Sequence, residues 1–209
     1  MANSVELPRA RKAASTKGED AARGSLTPDS WIEAATDVLA DHGIDGVRVD
    51  VLARTIGVTR GSFYWHFKDR EDLLRRVLQA WRQRATEQLT DRLERASDDP
   101  ADQLRDVISL PFRGKSAMRA ARIELAIRAW ARRDELARQA VDEADATRVS
   151  YVSQVFSSLG FPIAEARWRA FLLYSYVVAE SAMSPNVTAV QRDERDRFVE
   201  QLMRQRLVG

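Results

Sequence analysis

The sequence contains no cysteine in 209 residues. That excludes a disulfide framework and any thiolate metal site. It has two histidines, His42 and His66. No phosphate-cradling loop and no metal-spaced cluster of ligands accompanies them. An enzyme is therefore not expected, and neither is a metal or a cofactor. Charge of one sign is also scarce: 33 basic against 31 acidic residues leave a net charge of +2. The chain is thus no uniformly basic coat for nucleic acid, so any such surface must come from local patterning. A sequence-tolerant architectural DNA binder, which usually carries a strong basic surplus, is disfavoured on the same ground. No apolar run approaches the ~20 residues that span a bilayer, and the N-terminus lacks the apolar core of a signal peptide. A soluble cytoplasmic protein without a membrane partner is the expectation.

What the chain does have is length for one large or two small domains, helical periodicity and one unusual stretch. That stretch is Gly57-Val58-Thr59-Arg60-Gly61-Ser62-Phe63-Tyr64-Trp65-His66-Phe67-Lys68-Asp69. Leu52 to Ile56 precede it with apolar residues at helical spacing. Gly57 can take the positive φ that a tight inter-helix turn needs. Thr59 reads as the N-cap of the next helix. Val58, Phe63 and Phe67 should face a small core. Arg60, Gly61, Ser62, Tyr64, Trp65 and His66 combine short donors, cations and aromatics. Such a set suits phosphates and base edges in a major groove. The plainer alternative is a short amphipathic helix with a solvated polar face. Against it, two large aromatics and a histidine in a row leave at least one aromatic exposed.

The segment Val49 to Leu74, VDVLARTIGVTRGSFYWHFKDREDLL, resembles the DNA-binding domain of the tetracycline-repressor (TetR) family of bacterial transcription regulators. The shared pattern is Gly57-Val58-Thr59, Gly61, Tyr64-Trp65-His66-Phe67, Asp69 and Leu73-Leu74. The similarity covers roughly Pro28 to Arg76. It implies that Thr59, Arg60 and Ser62 contact bases or phosphates, that Gly61 permits close approach, that Tyr64 and His66 bond phosphates, and that Lys68 adds one charge contact. Trp65 would lie against the sugar-phosphate backbone or a thymine methyl, or pack on the first helix. Arg60 is the candidate for guanine readout, because its fork matches the O6 and N7 acceptors. At Arg48 the family usually has a hydroxyl that caps the second helix and touches a phosphate. Arg48 can reach a phosphate but cannot cap, and Asp50 would partly compensate the dipole.

The expected fold is all-α: an N-terminal three-helix helix-turn-helix DNA-binding domain, then a larger helical ligand-binding and dimerisation domain. Residues 1–26 read as a disordered basic tail, either solvated or an arm adding phosphate contacts. Residues 27–74 form the DNA-binding domain, and 75–209 the effector-binding and dimerisation domain. Helix one starts at Thr27 (cap), Pro28 and Asp29 and closes at His42-Gly43. Helix two runs from about Val49 to Ile56. Helix four, capped by Asp69, runs to about Ala96. At about 25 residues it spans roughly 37 Å and links the two domains. Further helices are expected over about 101–110, 116–132, from an Asp134 cap to Leu159, 163–183 and 187–207. Breaks fall at residues 111–115, at Gly160 and at Ser184-Pro185-Asn186.

Helix 163–183 is apolar on more than one face. With the last helix it would suit a four-helix interface in a homodimer. By resemblance the larger domain encloses a pocket for a small-molecule effector of unknown identity. Its candidate lining is Trp81, Phe112, Met118, Trp130, Phe156, Trp168 and Tyr174, each of which could equally be ordinary core. The expected partner is double-stranded DNA bearing a palindromic operator.

Overall fold

Side-chain caps set the starts of three of the longer helices, at Asp69, Asp134 and Thr188. The computed structural model describes residues 27–86, 91, 95, 97–183 and 188–206. Regular structure among them is entirely helical. Nine α-helices are described: α1 Pro28–His42, α2 Val49–Thr55, α3 Arg60–Phe63, α4 Arg70–Ala85, α5 Pro100–Ser109, α6 Gly114–Ala131, α7 Glu135–Ser158, α8 Ile163–Met183 and α9 Ala189–Arg204. The Asp69 carboxylate accepts from the Asp72 amide at 2.8 Å, and Asp134 accepts from Ala137 at 3.0 Å. Each satisfies an amide that has no partner within its helix.

Several boundaries differ from the expectation. Thr27 and Thr59 occupy N-cap positions, but neither side chain accepts an amide hydrogen bond. α4 ends at Ala85 rather than about Ala96, and residues 87–90, 92–94 and 96 lie outside the described residues. The Thr86 hydroxyl donates to Arg82 O at 2.7 Å, competing for the carbonyl that the last turn presents. At 111–115 the break is only a 3-10 turn over Leu110–Phe112, after which α6 starts at Gly114. α9 begins two residues late because Thr188 and Gln191 form a reciprocal capping box. The basic tail over 1–26 and the break at Ser184-Pro185-Asn186 lie outside the described residues.

Two apolar cores result. The first gathers Trp31, Leu39, Leu52, Phe63, Phe67, Leu73, Val77 and Trp81 from α1–α4 and the turns between them. It continues through Ile123, Ile127 and Trp130 of α6 and Ala137, Val141 and Ala144 of α7. The apolar packing thus crosses position 74. The second core joins Leu104 and Ile108 of α5, Val152, Val155 and Phe156 of α7, Ala166, Ala170 and Leu173 of α8, and Val199 of α9. α7 therefore serves both cores, one with each half.

α6 is also tied to α1 along one edge. Arg119 Nη2 donates to Asp37 at 2.6 Å, and Arg122 pairs with Asp41. Between the two cores lies an ionic belt. Glu124 and Arg128 of α6, Asp145 and Arg148 of α7 and Tyr174 of α8 bond one another there.

Candidate nucleic-acid interface

The unit formed by α1–α3 and the start of α4 is built on an aromatic pile. Phe63 is fully buried, with its ring 5.3 Å from Trp31 and 5.2 Å from Phe67. Burying such a ring contributes roughly 2–3 kcal/mol. This anchors one face of α3 and turns the other outward. Gly57 sits at φ 73°, and the Val58 amide donates back to Ala53 O at 2.8 Å. A side chain at Gly57 would be strained by its backbone conformation.

α3 is a single turn, from Arg60 to Phe63, rather than a long recognition helix. The chain stays coiled through Tyr64, Trp65 and His66: the His66 and Phe67 amides both donate to Phe63 O at 3.0 Å. The expected surface residues emerge from this one coil. Thr59, Arg60, Gly61, Tyr64, Trp65 and Lys68 are exposed, while Ser62 and His66 are half-buried. Trp65 is 86% exposed, so the alternative that it packs on the first helix is excluded. Tyr64, at 60%, leans its ring edge on Phe63.

The side chains of Arg60 and Lys68 have no hydrogen-bond or ion-pair partner among the described residues. Ser62 Oγ is less free, since it donates to Thr59 O at 2.8 Å. A Cβ built on Gly61 would meet only Thr59 Oγ1, at 3.7 Å, and φ there is not positive. Nothing inside the fold demands a glycine at that position.

Arg48 is also exposed at the start of α2, but Asp50 holds it: Nε lies 3.2 Å from Oδ1, and Nη2 donates to Oδ2 at 3.3 Å. It does not cap α2. Arg70 does more for the unit and was not singled out by sequence reasoning. Its Nε donates to Val47 O at 2.6 Å and its Nη2 to Ile44 O at 2.8 Å. These bonds fasten the start of α4 to the α1–α2 connection. No local pattern marks Arg70, because its acceptors are backbone carbonyls more than twenty residues away. Asp72 accepts from the Lys68 amide at 3.2 Å. That bond, with Arg76 and Arg75 nearby, holds its carboxyl below the usual range.

The seven candidate pocket residues do not converge. Trp81 belongs to the first core and Phe156 to the second. Phe112 is half-buried in the 3-10 turn. Trp168 is 70% exposed on the outer face of α8, and Tyr174 is bonded into the ionic belt. Trp130 and Met118 line two neighbouring clefts between α1 and α6, of about 470 and 280 Å³. Among the described residues no group of three or more His, Asp or Glu could hold a metal ion. No described helix is long and apolar enough to cross a membrane.

A short second helix, a left-handed glycine turn and a third segment presenting unpaired cations and aromatics together define a helix-turn-helix unit of the DNA-binding type. Residues 32–77 match the family model described as bacterial regulatory proteins, tetR family. Over that stretch the chain is similar to the TetR family. Its relatives include the tetracycline repressor protein class A from transposon 1721 of Escherichia coli, 36% identical over 74 residues. That match covers 35% of this chain and 33% of the repressor. The HTH-type transcriptional regulator SrpR of Pseudomonas putida is 40% identical over 58 residues, 28% of this chain and 27% of that protein. The HTH-type transcriptional regulator EthR of Mycobacterium tuberculosis is 30% identical over 101 residues, 48% of this chain and 42% of that one. The chain thus spans between about a quarter and a half of the length of these relatives.

Similarity of fold extends further. A transcriptional regulator from Rhodococcus sp. Rha1 superposes with a TM-score of 0.70 at 22% identity, over 86% of this chain and 94% of that one. The transcriptional regulator FadR of Bacillus subtilis, in complex with stearoyl-CoA, gives 0.59 at 21% identity, over 84% and 96%. At these identities the likeness is one of fold.

Proposed function

We propose that this protein is a cytoplasmic, ligand-responsive transcriptional repressor that binds a palindromic operator as a homodimer. The observation that carries the DNA-binding part is the outward set Arg60, Gly61, Tyr64 and Trp65 on a coil whose opposite face is locked into the Trp31–Phe63–Phe67 pile. A rigid back and an unpaired front are what base and phosphate contacts require. In this reading Arg60 reads a guanine. Thr59 and Ser62 contact bases or phosphates beside it, and Gly61 lets the backbone approach. Tyr64, His66, Lys68 and Arg48 hold phosphates, and Trp65 lies along the sugar-phosphate backbone.

The homodimer is supported by an apolar face that α8 and α9 leave uncovered. Trp168, Phe171, Leu172, Met183, Val190, Phe198 and Leu202 are all exposed. So large an apolar patch favours a self-complementary partner. Two recognition segments would then enter successive major grooves about 34–36 Å apart. An effector releases the DNA only by binding the two conformations with different affinity.

The test compares two variants on an operator and on random DNA across a salt series. Arg60→Ala should lose about 1–3 kcal/mol on the operator alone. Lys68→Ala should weaken both DNAs alike and lower the salt slope by about 1. Equal losses on both DNAs for Arg60→Ala would refute base readout.

A further inference from the structure

We propose that Arg148 is the positioning residue that fixes the DNA-binding unit on the rest of the molecule, by holding the last carbonyl of α4 against the ionic belt. This role rests on the operator-binding function proposed above. Arg148 Nε donates to Ala85 O at 2.9 Å. Ala85 is the final residue of α4, so its carbonyl has no partner within the helix and lies at the negative end of the dipole. The rest of the same guanidinium faces the belt. Nη1 and Nη2 donate to the two Glu124 oxygens at 2.8 and 2.9 Å, and Nη1 also reaches Tyr174 Oη at 2.9 Å. Arg128 then donates to Glu124 at 2.8 Å and to Asp145 at 2.6 Å, and the Tyr174 hydroxyl donates to Asp145 at 2.6 Å.

One planar fork therefore joins α4 to α6, α7 and α8. The other contacts of α4 with α7 lack that directionality. Val141 and Ala144 of α7 are packed by dispersion, which tolerates small slides. The second tie of α4 to α7, Arg82 with Glu143, is exposed on both sides and contributes little. Bidentate Arg–carboxylate geometry is directional and strong, and the Arg148 side chain is only 14% exposed. The charge state of the belt supports a fixed role. Burial would raise the Glu124 carboxyl, but Arg148 and Arg128 overcome it and hold it below the usual carboxylate range. Burial, reinforced by Glu124 and Asp145 against the opposing charge of Arg148, pushes the Tyr174 phenol up to about 12. Glu124 therefore stays a carboxylate and Tyr174 a neutral phenol across neutral pH. The belt's lever is geometric: α4 follows directly on the recognition coil, so a tilt at Ala85 is carried along α4 to Trp65, while α1 is held separately on α6 by Arg119 and Arg122.

The absence of cysteine allows a clean distance measurement. Arg54→Cys on α2 and Ser158→Cys at the far end of α7, both exposed, take a fluorescent donor and acceptor for single-molecule transfer within one chain. The otherwise unchanged protein should give one narrow distance distribution. Arg148→Met should broaden or shift it by several ångströms while circular dichroism stays helical. Arg148→Lys, which keeps the charge but loses the fork, should fall between. Arg82→Ala should match the parent. An unchanged distribution in Arg148→Met overturns the proposal. If that variant fails to fold, an unchanged distribution in Arg148→Lys overturns it instead.

Unlabelled Arg148→Met should also lose about tenfold of the preference for the natural operator spacing over one lengthened by two base pairs. Its affinity for random DNA should be retained. A wild-type protein with no spacing preference would count against the palindrome reading, while the distance result still decides the role of Arg148.

Discussion

The two cores of this molecule differ in how completely they close. Among the described residues the first has 23 buried apolar residues against 10 in the second. It hides every large aromatic of α1 and α4 and presents only Tyr64 and Trp65. The second leaves Trp168, Phe171, Leu172 and Phe198 outside. A finished core that displays two aromatics beside unpaired cations is built for a polar, charged partner. In the function proposed above, the apolar outer face of the unfinished core pairs with a copy of itself. Between them lies the ionic belt of Glu124, Arg128, Asp145, Arg148 and Tyr174.

Breaking the closed core should have the largest effect. Phe63→Ala removes the centre of the aromatic pile and should cost about 3–5 kcal/mol, read by urea denaturation. DNA binding should be lost with it. Breaking the open core from outside should leave the fold intact. Phe171→Asp should raise the dimer dissociation constant by about 10²-fold or more, measured by sedimentation. It should also abolish the rise of melting temperature with protein concentration expected of a dimer. A variant still dimeric at micromolar concentration would place the interface elsewhere.

The belt should give a smaller effect. Glu124→Gln leaves two guanidiniums without their shared carboxylate and should cost about 2–3 kcal/mol. That is below the range for fully buried pairs, because the site is about one-fifth exposed. The smallest effect is the pH dependence of that cost. Because the folded Glu124 carboxyl titrates below its unfolded value, its contribution is present above about pH 4.3. It is lost as pH falls through the folded value. The stability gap between wild type and Glu124→Gln should therefore be flat near neutrality and shrink in acid. A gap that widens in acid would contradict this assignment.

Much of this was legible in the sequence where the signal is local. Gly57, Asp69, Asp134, Gly160 and the Phe63/Phe67 spacing set their elements where the chain alone suggested. The Tyr64–His66 run was rightly read as leaving an aromatic exposed. Features made by distant pairs were not legible. Arg70 reaches Ile44 and Val47, and Arg148 reaches Ala85, Glu124 and Tyr174, across separations without periodicity. Only residue type points to the seven pocket candidates in the sequence. Type alone cannot distinguish a core ring such as Phe156 from an outward one such as Trp168.

The central claim is that the closed core presents a sequence-specific reader and the open core pairs two of them. The most direct test is to select bound sequences from a random DNA pool and titrate the winning site. The account predicts an inverted repeat with half-sites about one helical turn apart, two protomers per site, and affinity at least ~10³-fold above random DNA. No enriched motif from ligand-free, refolded protein, or a single unrepeated motif bound by one protomer, would contradict it.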